Sequence, residues 1–480
     1  MSPSLGVGER VTAEAAEFWP VSEESTHDTW HSRLAQGRYD AMAGAQKVHG
    51  QLRTAVVALT AAVIVVLAGC SGDAEPSAAE GGSDRPSKAA PQAFDPPTDF
   101  GAPVAFMTRR DDAQVPSVRV LDGLAGWTVG SGGLVRVDFP ANVVGPGVFP
   151  DNALDPTVDL DRGSGITSEQ IGNPVVAATP VGRLAVAAFP VEIAGRGTTP
   201  GGPAIELVGA DSATGAKTLS ATVPLPAGSS PGFDPLVHYV GVVGVEGSTA
   251  VVTATTSEGG FTAAVDLGTG ETMWTAPDLT GRQVVDGTVI VYRHDFASPE
   301  MRGLSLTDGA QRWAGGPSGK AFPIGERLVL VSDNTGTAVL EAATGARVTT
   351  TPLGEDQKSW RCYYDQRSIT VCQLDQFGKP YAVVGLDESG AELWRIVARS
   401  GGDRVPPTVT ATWHGAVYGH TPDGGPVVLD GQTGADRTPA AAAAPLLVNE
   451  YFGIAPAPAE PGKVPDYRWY SELAAFPSTA

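Results

Sequence analysis

The sequence predicts an all-β chain: a β-propeller of seven or eight four-stranded blades, eight favoured, standing behind an N-terminal export and anchor segment. Three observations predict it. Glycine (60) and proline (39) make up about a fifth of the 480 residues while hydrophobic residues hold 42%. That balance suits many short strands joined by tight turns and argues against a helical bundle. Short apolar runs of strand length recur past residue 170. A turn closing on glycine recurs with them at a mean spacing of about 44 residues, a period that belongs to propeller blades when the repeating unit is made of strands.

In chain order the anchor comes first. Residues 1–41 are polar, mixed in charge and without periodicity, and are expected to be a disordered or untranslated extension, with the true start at or near Met42. Residues 42–69 have the plan of an export signal. Lys47, His49 and Arg53 flank the uncharged run 54–68, and small residues follow it. A run of about fifteen residues is short for a hydrocarbon layer of ~30 Å, which needs about 20. The run ends Leu67-Ala68-Gly69-Cys70, which resembles the lipobox of bacterial lipoproteins. The resemblance implies cleavage before Cys70, a diacylglyceryl group on its sulfur, and a chain held at the extracytoplasmic face of the cell membrane. The alternative is retention of 54–68 as a single-pass anchor, which also places the body outside the cytoplasm. Residues 70–99 are rich in Ser, Ala, Pro, Gly and charge and hold too little apolar surface to offset ordering entropy, so they read as a flexible tether. The propeller is assigned to 100–480.

The repeat turns are A-D-S-A-T-G (210–215), V-D-L-G-T-G (265–270), L-S-L-T-D-G (304–309), L-E-A-A-T-G (340–345), G-L-D-E-S-G (385–390) and L-D-G-Q-T-G (429–434). Asp211, Asp266 and Asp430 at turn starts can accept hydrogen bonds from N–H groups two residues on. Gly215, Gly270, Gly309, Gly345, Gly390 and Gly434 can take the positive φ that such hairpins need. Tryptophan follows the glycine by four residues in three copies, as Trp274, Trp313 and Trp394. A large ring at a fixed point of each outer strand can pack on the neighbouring blade. The runs 288–292, 327–331 and 415–419 each precede such a turn at the place of a second strand.

The motif resembles the pyrroloquinoline-quinone-type propeller repeat, an apolar residue, then Asp-x-x-Thr-Gly-x-x-x-Trp. Asp266, Thr269, Gly270 and Trp274 make the fullest copy. Gly215, Gly345 and Gly434 lack the tryptophan, and the loop before Gly390 is one residue shorter. Six copies are visible between about 174 and 440. Residues 118–165 are expected to supply a degenerate blade. The runs 446–454 and 467–476 supply part of another, lacking an outer strand that 103–108 provides from the other end of the chain, hiding the sheet edges.

Chemistry is sparse. Quinoprotein alcohol dehydrogenases share the repeat and use adjacent cysteines with Glu, Asn and Asp on calcium; no two of the three cysteines here are adjacent. Gly228-Ser229-Ser230-Pro231-Gly232 fits a nucleophile-elbow pattern, but Pro231 follows the serine where a helix must start. Gly319-Lys320 is followed by Ala321 and makes no phosphate loop. His414 and His420 lack companion ligands at zinc spacing. Asp151, Asp155, Asp159 and Asp161 crowd one loop without the glycine of a calcium template and read as a solvated acidic loop. No metal and no cofactor is expected. Cys362 and Cys372 fall on two strands joined by a turn near 365–367, nearly opposite one another, and outside the cytoplasm are expected to form a disulfide.

The net charge is −21, and residues 70–480 carry 27 basic against 46 acidic residues, or −19. Such a body repels phosphate backbones, which excludes nucleic acid as a partner. The expectation is a monomeric, non-catalytic lipoprotein held to the membrane through Cys70 and binding a protein or glycan of the cell envelope. A small-ligand sensor and a hydrolase or lyase working in the propeller channel are the alternatives. Resemblance to the propeller lipoprotein of the outer-membrane β-barrel assembly machinery implies a scaffold, and fold alone does not transfer that role.

Overall fold

Second and third strands are buried almost throughout, as in Leu328–Ser332 and Ala263–Val265, whereas fourth strands such as Gln311–Ala314 bury one residue in four. Strands covered on both faces in mid-sheet and exposed at the rim are what sheets stacked around an axis require. The computed structural model describes residues 91–107, 118–130, 133–155, 171–198, 200–226, 239–256, 259–293, 300–316, 319–332, 336–348, 353, 360–376, 379–398, 404–457 and 473–480. The chain divides into two units, 1–85 and 86–480, and every described residue lies in the second.

Eight antiparallel sheets follow one another, numbered here as blades 1 to 8 in chain order: 120–144, 175–224, 239–277, 279–314, 320–341, 360–397, 408–438 and 447–477. Strands pair in sequence order within each blade. Blade 2 adds the two-residue strand Ala153–Leu154. Blade 5 has three strands among the described residues, its third touched by a single bridge between Leu340 and Arg347. The first strand of each blade meets the first strand of the next, and that of blade 8, Leu447–Val448, meets that of blade 1, Val120–Asp122, so the ring is closed.

Both chain ends build blade 8. Ala105–Met107 lies antiparallel on Leu473–Pro477 as the outer strand, with Ala105 opposite Ala475. The run 446–454, read from sequence as one strand, is two. The Asn449 side-chain oxygen accepts from the N–H groups of Tyr451 (3.0 Å) and Phe452 (2.9 Å) and bends the chain into a hairpin there.

The core is distributed. Among the described residues eight buried apolar clusters each span one pair of neighbouring blades, from Trp127 with Phe189 between blades 1 and 2 to Phe139 against Phe452 between blades 8 and 1, rings 5.0 Å apart. Side chains also pin first-to-second-strand turns across seams. Glu246 accepts from Gly287 N–H, Asp365 from Gly415 N–H (2.7 Å), and Asn449 donates to Gly123 C=O (2.8 Å).

Candidate interaction surface

Turns joining third to fourth strands are built alike. At the end of the third strand Asp266 Oδ1 accepts from the N–H groups of Gly268 and Thr269, both at 2.8 Å. Asp211 accepts from Thr214 N–H and hydroxyl, Asp387 from Ser389 and Ala391, and Asp430 from Gln432 and Thr433. Gly215, Gly270, Gly309, Gly345, Gly390 and Gly434 close the turns with φ between +68° and +79°. These bonds hold the carboxyls below their ordinary range, led by the Thr214 hydroxyl at Asp211, the Thr269 amide at Asp266 and the Thr344 hydroxyl at Glu341. At Asp387 and Asp430 partial burial pushes upward, and hydrogen bonds, from Ser389 and from Arg437 respectively, outweigh it. One end of the ring thus carries an ionised carboxylate in the turns of blades 2, 3, 5, 6 and 7, four residues before the glycine except in blade 6, where it is three before.

A bulge follows the turn in blades 3, 4, 6 and 7, as one does in blade 2. Pairing slips by one residue just past the glycine, at Met273, Arg312, Leu393 and Arg437. The extra residue turns outward, which leaves Met273 and Leu393 exposed, and the next residue is aimed into the seam. There Trp274, Trp313 and Trp394 are buried. Each ring lies on the turn glycine of the following blade: a Cβ built on Gly309, Gly345 or Gly434 would fall within 2.6–2.8 Å of it. Each indole N–H donates to a carbonyl of that turn: Trp274 to Leu306 (2.8 Å), Trp313 to Ala342 (2.7 Å), Trp394 to Gly431 (2.6 Å). Other seams substitute. Arg136 Nε donates to Ser212 C=O at 3.1 Å beside Gly215, and Leu219 with Ala221 covers Gly270.

The lead-in to blade 8 crosses the seam between blades 7 and 8. Phe94 N–H donates to Glu450 C=O, Tyr418 hydroxyl to Pro97 C=O (2.7 Å), Thr98 N–H to Ala480 C=O and Gly101 N–H to Pro477 C=O. Asp99 accepts from Ala442 N–H, and His414, stacked on Trp413 at 4.2 Å, pairs with Asp95. His414 and His420 therefore sit at opposite ends of the strand Ala416–His420 with separate partners, His420 facing Gly424 C=O. Asp151 pairs with Lys217 at 2.7 Å.

Cys362 and Cys372 are directly opposite on adjacent strands and disulfide-bonded. Cys70, the segment 54–68, Asp159, Asp161 and residues 228–232 lie outside the described residues. Among the described residues no group of three His, Cys, Asp or Glu is placed to hold a metal ion. Among the described residues three carboxylates are buried that sequence reasoning did not place inside; Asp155, read as part of a solvated acidic loop, is one of them. Glu206 accepts from the backbone of Asp151 and Asn152 and from Ser220, tying the entry segment to blade 2. Asp365 accepts from three consecutive N–H groups, 367–369, besides Gly415. The Asp365 turn carried a readable signal, an aspartate opening a polar break; Glu206 sits mid-strand and carried none.

Apolar surface is exposed at the outer edge of blade 1. Its fourth strand is two residues long, Val143–Val144, with Val143 54% and Val144 39% exposed, and Phe149 just beyond it 46% exposed.

The family model described as outer membrane protein assembly factor BamB matches residues 167–315, and the chain carries quinoprotein-type propeller repeats. Solved structures similar to this chain include BamB from Moraxella catarrhalis at 19% identity, covering 55% of this chain and 70% of that one, TM-score 0.31. Quinohemoprotein alcohol dehydrogenase from Comamonas testosteroni is 12% identical, with coverage of 79% and 77% and TM-score 0.42. Sqt1 from Saccharomyces cerevisiae is 11% identical, with coverage of 81% and 98% and TM-score 0.41. No curated protein matched the chain. At these identities the likeness extends to neither chemistry nor partner.

Proposed function

We propose that this protein is a non-catalytic scaffold of the bacterial cell envelope, lipid-anchored through Cys70 on the extracytoplasmic side, that binds a protein partner. The observation that carries the binding reading is the apolar edge of blade 1. A two-residue outer strand leaves Val143, Val144 and Phe149 in solvent, and exposed apolar groups at a sheet edge are what strand addition or side-chain docking by a partner uses. The repeat model, whose printed description is of an assembly factor, supports a role through protein contacts. The anchored reading draws support from the lipobox at 67–70 and from the lead-in, which continues without interruption into the outer strand of blade 8.

Two measurements test it. Cys70→Ser is expected to abolish incorporation of labelled fatty acid and to move the protein out of the detergent phase; a Cys70→Ser chain that remains fatty-acylated refutes the anchor. A Val143→Glu, Phe149→Glu double variant, with melting temperature unchanged, is expected to lose crosslinks to envelope proteins that the parent forms from a photoreactive residue at Asn142. Undiminished crosslinks to the same protein refute the blade 1 edge as the docking site.

A further inference from the structure

The first strands of the blades, which meet one another around the axis, carry their charge unevenly. Among the described residues these strands hold five charged side chains. The two acidic ones, Asp122 and Glu246, end their strands at the first turn and are engaged there. Asp122 pairs with Arg183, and Glu246 accepts from Gly287 N–H (3.0 Å). The three basic ones, Arg282, Lys320 and Arg361, lie on blades 4, 5 and 6, whose first strands touch in turn. They stand nearly level. Val285, Ile324 and Tyr364 close the ladders of these strands, and the cations come three, four and three residues before them. All three are exposed. A strand covered by a neighbouring blade on each face and by its own second strand along one edge meets solvent only toward the axis and at its ends. At Arg282 a bulge between Gly281 and Gln283 turns the residue out of the ladder. Its guanidinium lies 5.5 Å from the centre of the Tyr292 ring. Arg361 pairs with Asp375 while 47% of its side chain stays exposed.

We propose that Arg282, Lys320 and Arg361 form an anion-binding arc on the wall of the central channel, and that its occupant is an acid-rich segment of a protein partner. The occupant rests on the reading that the chain binds a protein. Charge is the first argument. Residues 70–480 carry 27 basic against 46 acidic residues, or −19. An acidic segment is therefore repelled by the body at large. It is drawn to a stretch of wall where the described first-strand residues present only positive charge, because a cleft lined by one sign concentrates the field within it. Asp375 offsets one of the three charges and leaves the arc positive. Span is the second argument. Packed sheets lie about 10 Å apart and blades converge toward the axis, so three successive blades spread the cations over roughly 10–20 Å. A small carboxylate reaches one of them, whereas an extended chain rising ~3.3 Å per residue spans the arc with about three to six residues. Chemistry is the third. Two of the three cations are guanidiniums, whose fork of donors fits a carboxylate.

The test titrates the full-length chain with a fluorescein-labelled hexapeptide of alternating Asp and Glu, read by anisotropy, beside the same peptide made of Asn and Gln. Saturable binding is expected, about tenfold tighter for the acidic peptide, the sum of a few exposed ion pairs. Raising sodium chloride from about 50 to about 200 mM is expected to weaken it several-fold as the charges are screened. Arg282→Gln is expected to cost roughly two- to fivefold, the range of one exposed pair, and the charge reversal Lys320→Glu about tenfold. Arg395→Gln removes an equal charge from the outer strand of blade 6 and is expected to change nothing. Binding no tighter than that of the amide peptide, binding indifferent to salt, or equal weakening by Arg395→Gln overturns the arc. Succinate that binds as tightly as the acidic peptide keeps the anion chemistry and overturns the protein segment as occupant. The probe needs no partner, so its result is independent of the scaffold reading. Crosslinking separates the two. An envelope protein captured equally by the parent and by Lys320→Glu overturns the arc as its docking site alone, and peptide binding by a chain that captures no envelope protein overturns the scaffold alone.

Discussion

At the scale of the residue, a single tryptophan closes each of three seams. Trp313 is buried, covers Gly345 and gives its N–H to Ala342 C=O. Trp313→Ala removes the ring and opens a void that two rigid sheets close poorly, so a loss of about 3–5 kcal/mol in unfolding free energy is expected from denaturant titration. Trp313→Phe keeps most of the contact but leaves the Ala342 carbonyl without its indole donor, at a cost of about 1–3 kcal/mol. His420 makes a different prediction. Burial holds its imidazole below the ordinary value, against a smaller opposing pull from Gly424 C=O. The unfolded chain therefore takes up a proton at a pH where the folded one does not. His420 costs nothing well above the unfolded value of about 6.5, and stability falls as pH drops below it. Melting curves between pH 7.5 and 5 are expected to slope downward on acidification, and His420→Gln to flatten that slope.

At the scale of the element, the blade is a hairpin series whose last hairpin is re-aimed by a bulge. The turn motif was legible because Asp, Thr and Gly act locally, through Asx bonds and positive φ. The bulge was not, because its effect shows only in the partner strand's register: the sequence spacing of four places tryptophan, and the slipped pairing decides which way it points. The Cys362–Cys372 bond joins the first and second strands of blade 6 across a closed loop of about ten residues. Closing such a loop removes roughly 2–3 kcal/mol of denatured-state entropy. A Cys362→Ala, Cys372→Ala chain is expected to be less stable by that amount with unchanged circular dichroism, and reductant is expected to lower the stability of the parent chain but not of this variant.

At the scale of the whole molecule, closure matters most. The outer strand of blade 8 comes from 105–107, and the lead-in from 94 to 101 bonds to 450, 477 and 480. A chain lacking residues 91–107 is expected to expose the edge of Leu473–Pro477 and lose the clamp on blades 7 and 8. Light scattering should report association, and the thermal transition should broaden or split, because each blade is held only by its two neighbours. A sharp transition at the parent temperature refutes that role for the lead-in.

What the amino-acid sequence determined alone was everything that acts over short stretches: the glycine turns, the apolar runs of strand length and their recurrence, and the pairing of Cys362 with Cys372, each set by backbone sterics or by residues close to one another along the chain. Tertiary structure decided what depends on groups brought together from afar. It seated Trp274 on Gly309, made Glu206 the receiver of a distant loop and split 446–454 at Asn449. Strand pairing and seam packing join residues dozens to hundreds of positions apart, and no local rule states which surface each will meet.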